Sequence, residues 1–257
     1  MSSVYFGVHM RGWGLAGVIL IALGSALALP PIPQDLGLHD LADRRAWAGI
    51  PNFMDVASNL AFLLVGVAGL ALRFEGAAAG AARAWKVFFA GTVLVFFGSV
   101  YYHWDPNNET LVWDRVPIMI AFMALFAALV SEHVGERLQG VLLVSSLAIG
   151  TGSVWWWTQT DDLRLYVWAQ AAPMITIVYV LIAFPGRYTH RGYLGWALAA
   201  YALAKVLEFQ DRAVYALTAH AMSGHSLKHL LAAAGGFFIY LMLRRRAPVA
   251  YRAEEQD

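Results

Sequence analysis

The stretch FGSVYYHWDPNNETLVWDR, Phe97 to Arg115, closes an apolar run with Ser99 and His103 four residues apart and places Asp114 eleven residues beyond that histidine. A histidine pair with the same spacing, His225 and His229, recurs in GHSLKH near the end of the chain. Residues four apart on a helix share a face, about 6 Å apart along the axis. Ser99 therefore lies with His103, and His225 with His229. Two imidazoles one turn apart can reach a single metal ion. A third from another helix would leave the fourth tetrahedral position for water, the pattern of a catalytic rather than a structural zinc. Cysteine is absent, so thiolate ligands, a cysteine nucleophile and disulfides are excluded, and histidine and carboxylate must carry any metal chemistry.

Each feature alone has a plainer reading. A lone His103 can simply bond a neighbouring helix, and HxxxH is a weak motif, although two ionisable groups in one membrane turn are usually functional. Asp114 fits a charge favoured by a helix N-terminus, and Ser99 a small packing residue between helices. The joint pattern is more specific than its parts: SxxxH closing one span, an aspartate after it, and HxxxH in the last span.

The elements that must position these groups are membrane helices. Hydrophobic residues make up 60% of the chain and charged residues 14%, well under the roughly 25% charged share of a soluble domain. Eight apolar runs stand out, at about 13–29, 56–72, 85–103, 116–131, 138–156, 166–184, 192–208 and 225–243. Each is apolar nearly all round and approaches the roughly 20 residues that cross a bilayer as a helix. A closed barrel would need short alternating segments, which are lacking. The fold is read as all-α, a multi-pass transmembrane helical bundle forming a single domain over 1–257. Its parts are an extra N-terminal helix, retained rather than cleaved as a signal peptide because prolines and no cleavage site follow it, a core at about 55–243 and a basic tail at 244–257.

With the N-terminus inside, eleven arginines and lysines collect at inner ends, from Arg11 to Arg244–Arg246 and Arg252, against five arginines outside. Both termini are therefore expected in the cytoplasm. His103 then ends an ascending helix, HWDPNNETLVWDR is an outer loop, Asp114 opens the next span, and His225 and His229 sit at the same outer level. Arginine outnumbers lysine fifteen to three, which fits a GC-rich bacterial genome and so a site facing the periplasm from an inner membrane. The net charge of +1 leaves no basic excess for nucleic acid.

The combined pattern resembles the alkaline ceramidase family, part of a wider superfamily of membrane zinc hydrolases that includes the progestin and adiponectin receptors. Ser99 and His103 in GSVYYH, Asp114 in LVWDR, and His225 with His229 in GHSLKH carry the likeness. It extends from about Asp55 to Tyr240, through DVASNLAF and KVLEFQDR. The resemblance implies a seven-helix core with Zn2+ held by His103, His225 and His229. It implies Asp114 as acid and base, and Ser99 assisting the attacking water or the oxyanion. The implied activity is hydrolysis of the N-acyl amide of ceramide or a related membrane lipid, with the lipid entering sideways from the bilayer. A receptor-like member with structural zinc shares the same five residues and is the alternative; DPNNETLVWDR and SGHSLKH fit the ceramidase branch. The first span is additional to the family's seven. Animal members also carry an acidic calcium site before the first core helix; Asp35, Asp40, Asp43 and Asp55 lie in that region without aligning to it, and calcium stays open.

Other polar residues divide similarly. Glu208 and Asp211, with Lys205 and Lys228, read first as an inter-helix ion-pair cluster, and second as groups bonding a ligand histidine's other nitrogen. Asp55, Ser58 and Asn59 read as polar contacts between helices, and Trp155 to Trp157 as an outer aromatic belt. The connection from Pro30 to Asn52 is expected to hold an interfacial helix anchored by Trp47. A retinal or haem protein is the third class, drawn from Lys228 and the histidines. Lys228 lies near the end of its span, however, and a pair on one helix does not suit two faces of a haem. Nothing in the sequence fixes an oligomeric state.

Overall fold

The computed structural model describes residues 2–74 and 80–249, with side chains from residue 7 onward; the rest of the basic tail, Arg252 included, lies outside the described residues. The helices are α1 (Ser2–Ala28), α2 (Phe53–Ala57), α3 (Leu60–Leu70), α4 (Ala82–Trp104), α5 (Asn108–Val134), α6 (Gln139–Thr160), α7 (Arg164–Ala183), α8 (Gly192–Phe209), α9 (Asp211–Leu217) and α10 (Gly224–Arg245). No strand occurs among the described residues, so the fold is the all-α bundle expected. Seven stretches are long and apolar enough to cross a membrane: Gly7–Ala28, Phe53–Leu70, Ala82–Trp104, Asn108–Val134, Glu136–Thr160, Arg164–Ala183 and Gly224–Arg245. The remaining expected span is α8, in which Lys205 and Glu208 interrupt the apolar run. The Phe53–Leu70 stretch breaks at Ser58–Asn59. There the Asp55 carbonyl accepts from Ser58 Oγ (3.2 Å) and Asn59 Nδ2 (2.7 Å), side-chain bonds that compete with the helical ladder.

Large apolar side chains face outward: Ile21 is 71% exposed, Leu64 63%, Val141 73% and Ile182 80%. In water such a surface would drive association, whereas lipid accepts it. At the centre stands α5, with 72% of its most apolar stretch buried against 11% for α1. It packs chiefly on α4 and α6, while α10 packs on α8 and α3. Close approach depends on small residues. A methyl group on Gly98 of α4 would run into the Trp113 carbonyl oxygen of α5, and one on Gly91 would lie 2.8 Å from Ala121 N. That contact brings together Ser99 and Asp114, each one residue further along. The N-terminal helix docks on α7, with Leu15 and Ile19 against Ala172 and Trp168 Nε1 donating to the Ile19 carbonyl (3.2 Å).

Polar contacts define the two ends. At one, Asp162 bonds Ile32 N and Arg164, while Arg164 Nη1 donates to the Leu27 and Leu29 carbonyls. The Arg164 hydrogen bond holds the Asp162 carboxyl down at about 2, so the latch stays ionised. At the other, Glu132 accepts from Trp85 Nε1 (2.7 Å) and pairs with Arg246 (2.8 Å), both side chains nearly fully buried. The basic cluster and the candidate histidines thus occupy opposite ends of the bundle.

Three expectations need correction. The polar loop after His103 is short, because α5 begins at Asn108: Asn107 Oδ1 accepts from the backbone of Glu109 and Thr110, and Thr110 Oγ1 takes the Asn107 N–H. This capping box turns eight residues of the supposed loop into helix. Trp157 is also no part of an aromatic belt. It is 3% exposed, whereas Trp155 is 65%, because consecutive helical side chains point about 100° apart and one of the three must face inward. The Pro30–Asn52 connection contains only a short 3-10 turn, Leu36–His39.

Candidate metal centre

His103 occupies the last turn of α4, and His225 and His229 the first two turns of α10. All three are buried, at 1%, 4% and 3% exposure. His103 Nε2 lies 3.2 Å from His229 Nε2 and 3.3 Å from His225 Nε2. A neutral imidazole has one N–H. Three ring nitrogens facing one point cannot all donate and accept among themselves, and buried polar atoms arranged so call for a further partner. The group can hold a metal ion, and an all-imidazole donor set suits zinc among other divalent metals.

The surroundings orient the rings and the helix that carries two of them. Ser58 Oγ stands 2.8 Å from His229 Nδ1. With Nδ1–H donating to Ser58, whose hydroxyl donates onward to the Asp55 carbonyl, His229 Nε2 is left as a bare donor atom. The Asp55 carboxylate accepts from Ser223 Oγ (3.1 Å) and Ser226 Oγ (2.6 Å), and Ser223 caps α10 by accepting from Ser226 N (2.9 Å). Asn52 Nδ2 donates to the His103 carbonyl (2.8 Å). Asp211 receives the backbone N–H of His225 (2.7 Å) and of Ala42 (3.0 Å). Gly224 is required where α10 starts, since a methyl there would strike the Leu207 carbonyl oxygen.

Several sequence readings change at this point. Ser58, read as a polar contact, is a partner of a candidate ligand; the only sequence signal was its place beside Asp55 and Asn59 in an otherwise apolar span. Asp211 anchors the His225 backbone and not its ring. Glu208 is the expected ion-pair hub, bonded to Lys205 and, at 3.2 Å, to Lys228. Lys228 Nζ also lies 2.8 Å from His225 Nε2. One lone pair cannot serve both an ammonium and a metal, so a bound metal would leave Lys228 to Glu208.

Asp114 belongs to the second turn of α5, six residues past its start, beyond the first turn in which a helix dipole acts strongly. A dipole-stabilising charge therefore does not account for it. Its Oδ1 is buried with no hydrogen-bond partner, and Ser99, 2% exposed, stands beside its carboxyl group. A cavity of about 390 Å³ opens beside His225, lined also by Leu38, Asp40, Glu208, Asp211 and Arg212 among others. The four aspartates of the calcium question do not converge. Asp35 caps the Leu36–His39 turn, Asp40 pairs with Arg44 and Arg212, and Asp55 holds the two serines. Asp43 is clasped by Arg45; burial pushes its carboxyl up, but the Arg45 bonds outweigh this and leave it below the usual range.

Ser58→Ala tests the ring-orienting role. Metal affinity is expected to fall about 10- to 100-fold with helix content unchanged, read by competition with a fluorescent chelator. Unaltered affinity would show that Ser58 does not set the ring.

No family model matches the chain, and no curated protein matches it.

Proposed function

We propose that the chain is a zinc-dependent intramembrane amidohydrolase that cleaves the N-acyl amide of ceramide or a related N-acyl lipid to a fatty acid and a free amine. The observation that carries this reading is the convergence of three buried imidazoles, one helical turn from Ser99 with the unbonded Asp114 oxygen beside it, inside an apolar bundle. The resemblance to alkaline ceramidases in the same five residues supports it.

Zinc, when bound, supplies a Lewis acid for the amide carbonyl and lowers the pKa of water. The chain's own groups do the rest. Asp114, with a buried and unsatisfied oxygen, takes the proton of the attacking water and returns it to the leaving amine. Ser99 donates its hydroxyl to the developing oxyanion. With His103 committed through Nε2, Ser99 has no imidazole base one turn away and does not serve as the covalent nucleophile. The apolar helices accommodate the acyl chain, while the polar cavity beside His225 gives water a route to the site. The excess of basic residues at the opposite end supports a cytoplasmic location for both termini, with the site on the periplasmic side of a bacterial inner membrane.

The test pairs metal analysis of the purified protein with fatty-acid release from labelled N-acyl lipids, before and after chelation and zinc return. Stoichiometric zinc and zinc-dependent release are expected. Full zinc with no release across a broad panel would replace this reading by the receptor-like one.

A further inference from the structure

Arg115 lies in α5 one residue past Asp114, and it is 6% exposed. Its guanidinium carbon stands 4.1 Å from the Trp157 ring centre and 4.7 Å from that of Tyr166. Nη2 donates to Gln34 Oε1, and Gln34 is itself held, its backbone N–H on Asp161 Oδ1 (3.0 Å) and its Nε2 on the Asp35 carbonyl (2.8 Å). The guanidinium is thus fixed in place. Yet Nη1 is buried without a hydrogen-bond partner, and no ion pair of Arg115 occurs among the described residues.

Two other buried charges among the described residues have counter-charges. Arg246 meets Glu132 through two nitrogens, at 2.8 and 2.9 Å, and Glu208 has two lysines. Arg115 alone of these has aromatic faces and one amide in place of a counter-charge. Arginine cannot shed its proton to relieve burial, cation–π contacts compensate only in part, and an ionised residue within a membrane helix points to function. A planar fork with an unfilled N–H edge matches a carboxylate or a phosphate.

We propose that Arg115 is an anion subsite that takes the carboxylate or phosphate of a lipid head group, so that the preferred substrates are acidic N-acyl lipids rather than neutral ceramide. This rests on the hydrolase reading. The subsite and Asp114 are successive residues, with side chains about 100° apart around α5. That arrangement suits a charge carried close to the amide, as in an N-acyl amino acid.

Binding separates this inference from catalysis. The probes are lipids with a ketone in place of the amide, matched in chain length, with a carboxylate, a phosphate or a hydroxymethyl head; free fatty acid is a fourth. They are titrated into the zinc-loaded, detergent-solubilised full chain. The wild type is expected to bind an acidic head roughly tenfold or more tightly than the neutral one. Arg115→Met should erase that preference while leaving neutral-probe binding and zinc content intact, and Arg115→Lys should restore part of it. Carboxylate against phosphate then identifies the head-group source. Equal binding of acidic and neutral heads by the wild type, a preference that survives Arg115→Met, or a preference confined to free fatty acid would overturn the subsite. Arg115-dependent binding of the ketone probes, with no fatty-acid release from labelled N-acyl lipids of the same acidic heads, would keep the anion site and remove the hydrolase reading. Release with no acidic preference would do the reverse.

Discussion

His229→Ala is expected to purify without metal and without turnover, while keeping its helical content. His229 supplies one of three converging nitrogens, at 3% exposure, with its ring edge-on to Phe62, His103 and His225. Removing it leaves one imidazole on each of two helices. Loss of a group that merely orients a ligand lowers affinity about 10- to 100-fold, so loss of the ligand itself should exceed that range. The variant also strips Ser58 of its partner and opens a space among α3, α4 and α10, which is expected to lower the melting temperature. Elemental analysis beside circular dichroism reads both effects. His9→Ala, at an exposed position of α1, should retain full metal. A His229→Ala protein that holds stoichiometric zinc would move the metal away from this triad.

How much of this was legible in the sequence depends on the range of the interaction concerned. Helical spacing is local, and alternation of spans follows from their count, so the joint level of His103, His225 and His229 could be read before any coordinates. The capping box was local too, but Asn107 and Thr110 stand among polar neighbours and hydropathy starts the helix only near residue 116. The consequence is large, because α5 beginning at Asn108 moves Asp114 and Arg115 from a loop into the bundle. Ser58 and His229 are 171 residues apart in sequence, and the pair arises only when the break after α2 meets the start of α10. The same holds for Asp211. Its carboxylate in KVLEFQDR reads first as part of an ion-pair cluster and second as a ring partner, but the tight seat of Gly224 on α8 brings the His225 backbone to it. Trp157 shows the converse limit: three identical residues in a row carry no sign of which one the bundle turns inward.

Asp114→Asn and Asp114→Ala are expected to separate metal binding from chemistry. Asp114 makes no contact that would place it among the ligands; the triad closes through imidazoles alone. Zinc content and affinity should therefore stay at wild-type levels in both variants. Turnover should drop by about 10²- to 10⁴-fold, the range for removing a positioned general acid and base, with little change in KM if the carboxylate acts in the transition state rather than in binding. Asparagine keeps the shape and one acceptor oxygen beside Ser99, yet it cannot carry the proton from water to amine. Rates as low as those of the alanine variant are thus the signature of proton transfer. Recovery of most activity in Asp114→Asn would instead make the residue a hydrogen-bonding support for Ser99, and full activity in both variants would remove it from the mechanism. Ser99→Ala gives the matching measure: a smaller fall than either Asp114 variant is expected, since one oxyanion donor is lost while the metal site stays whole.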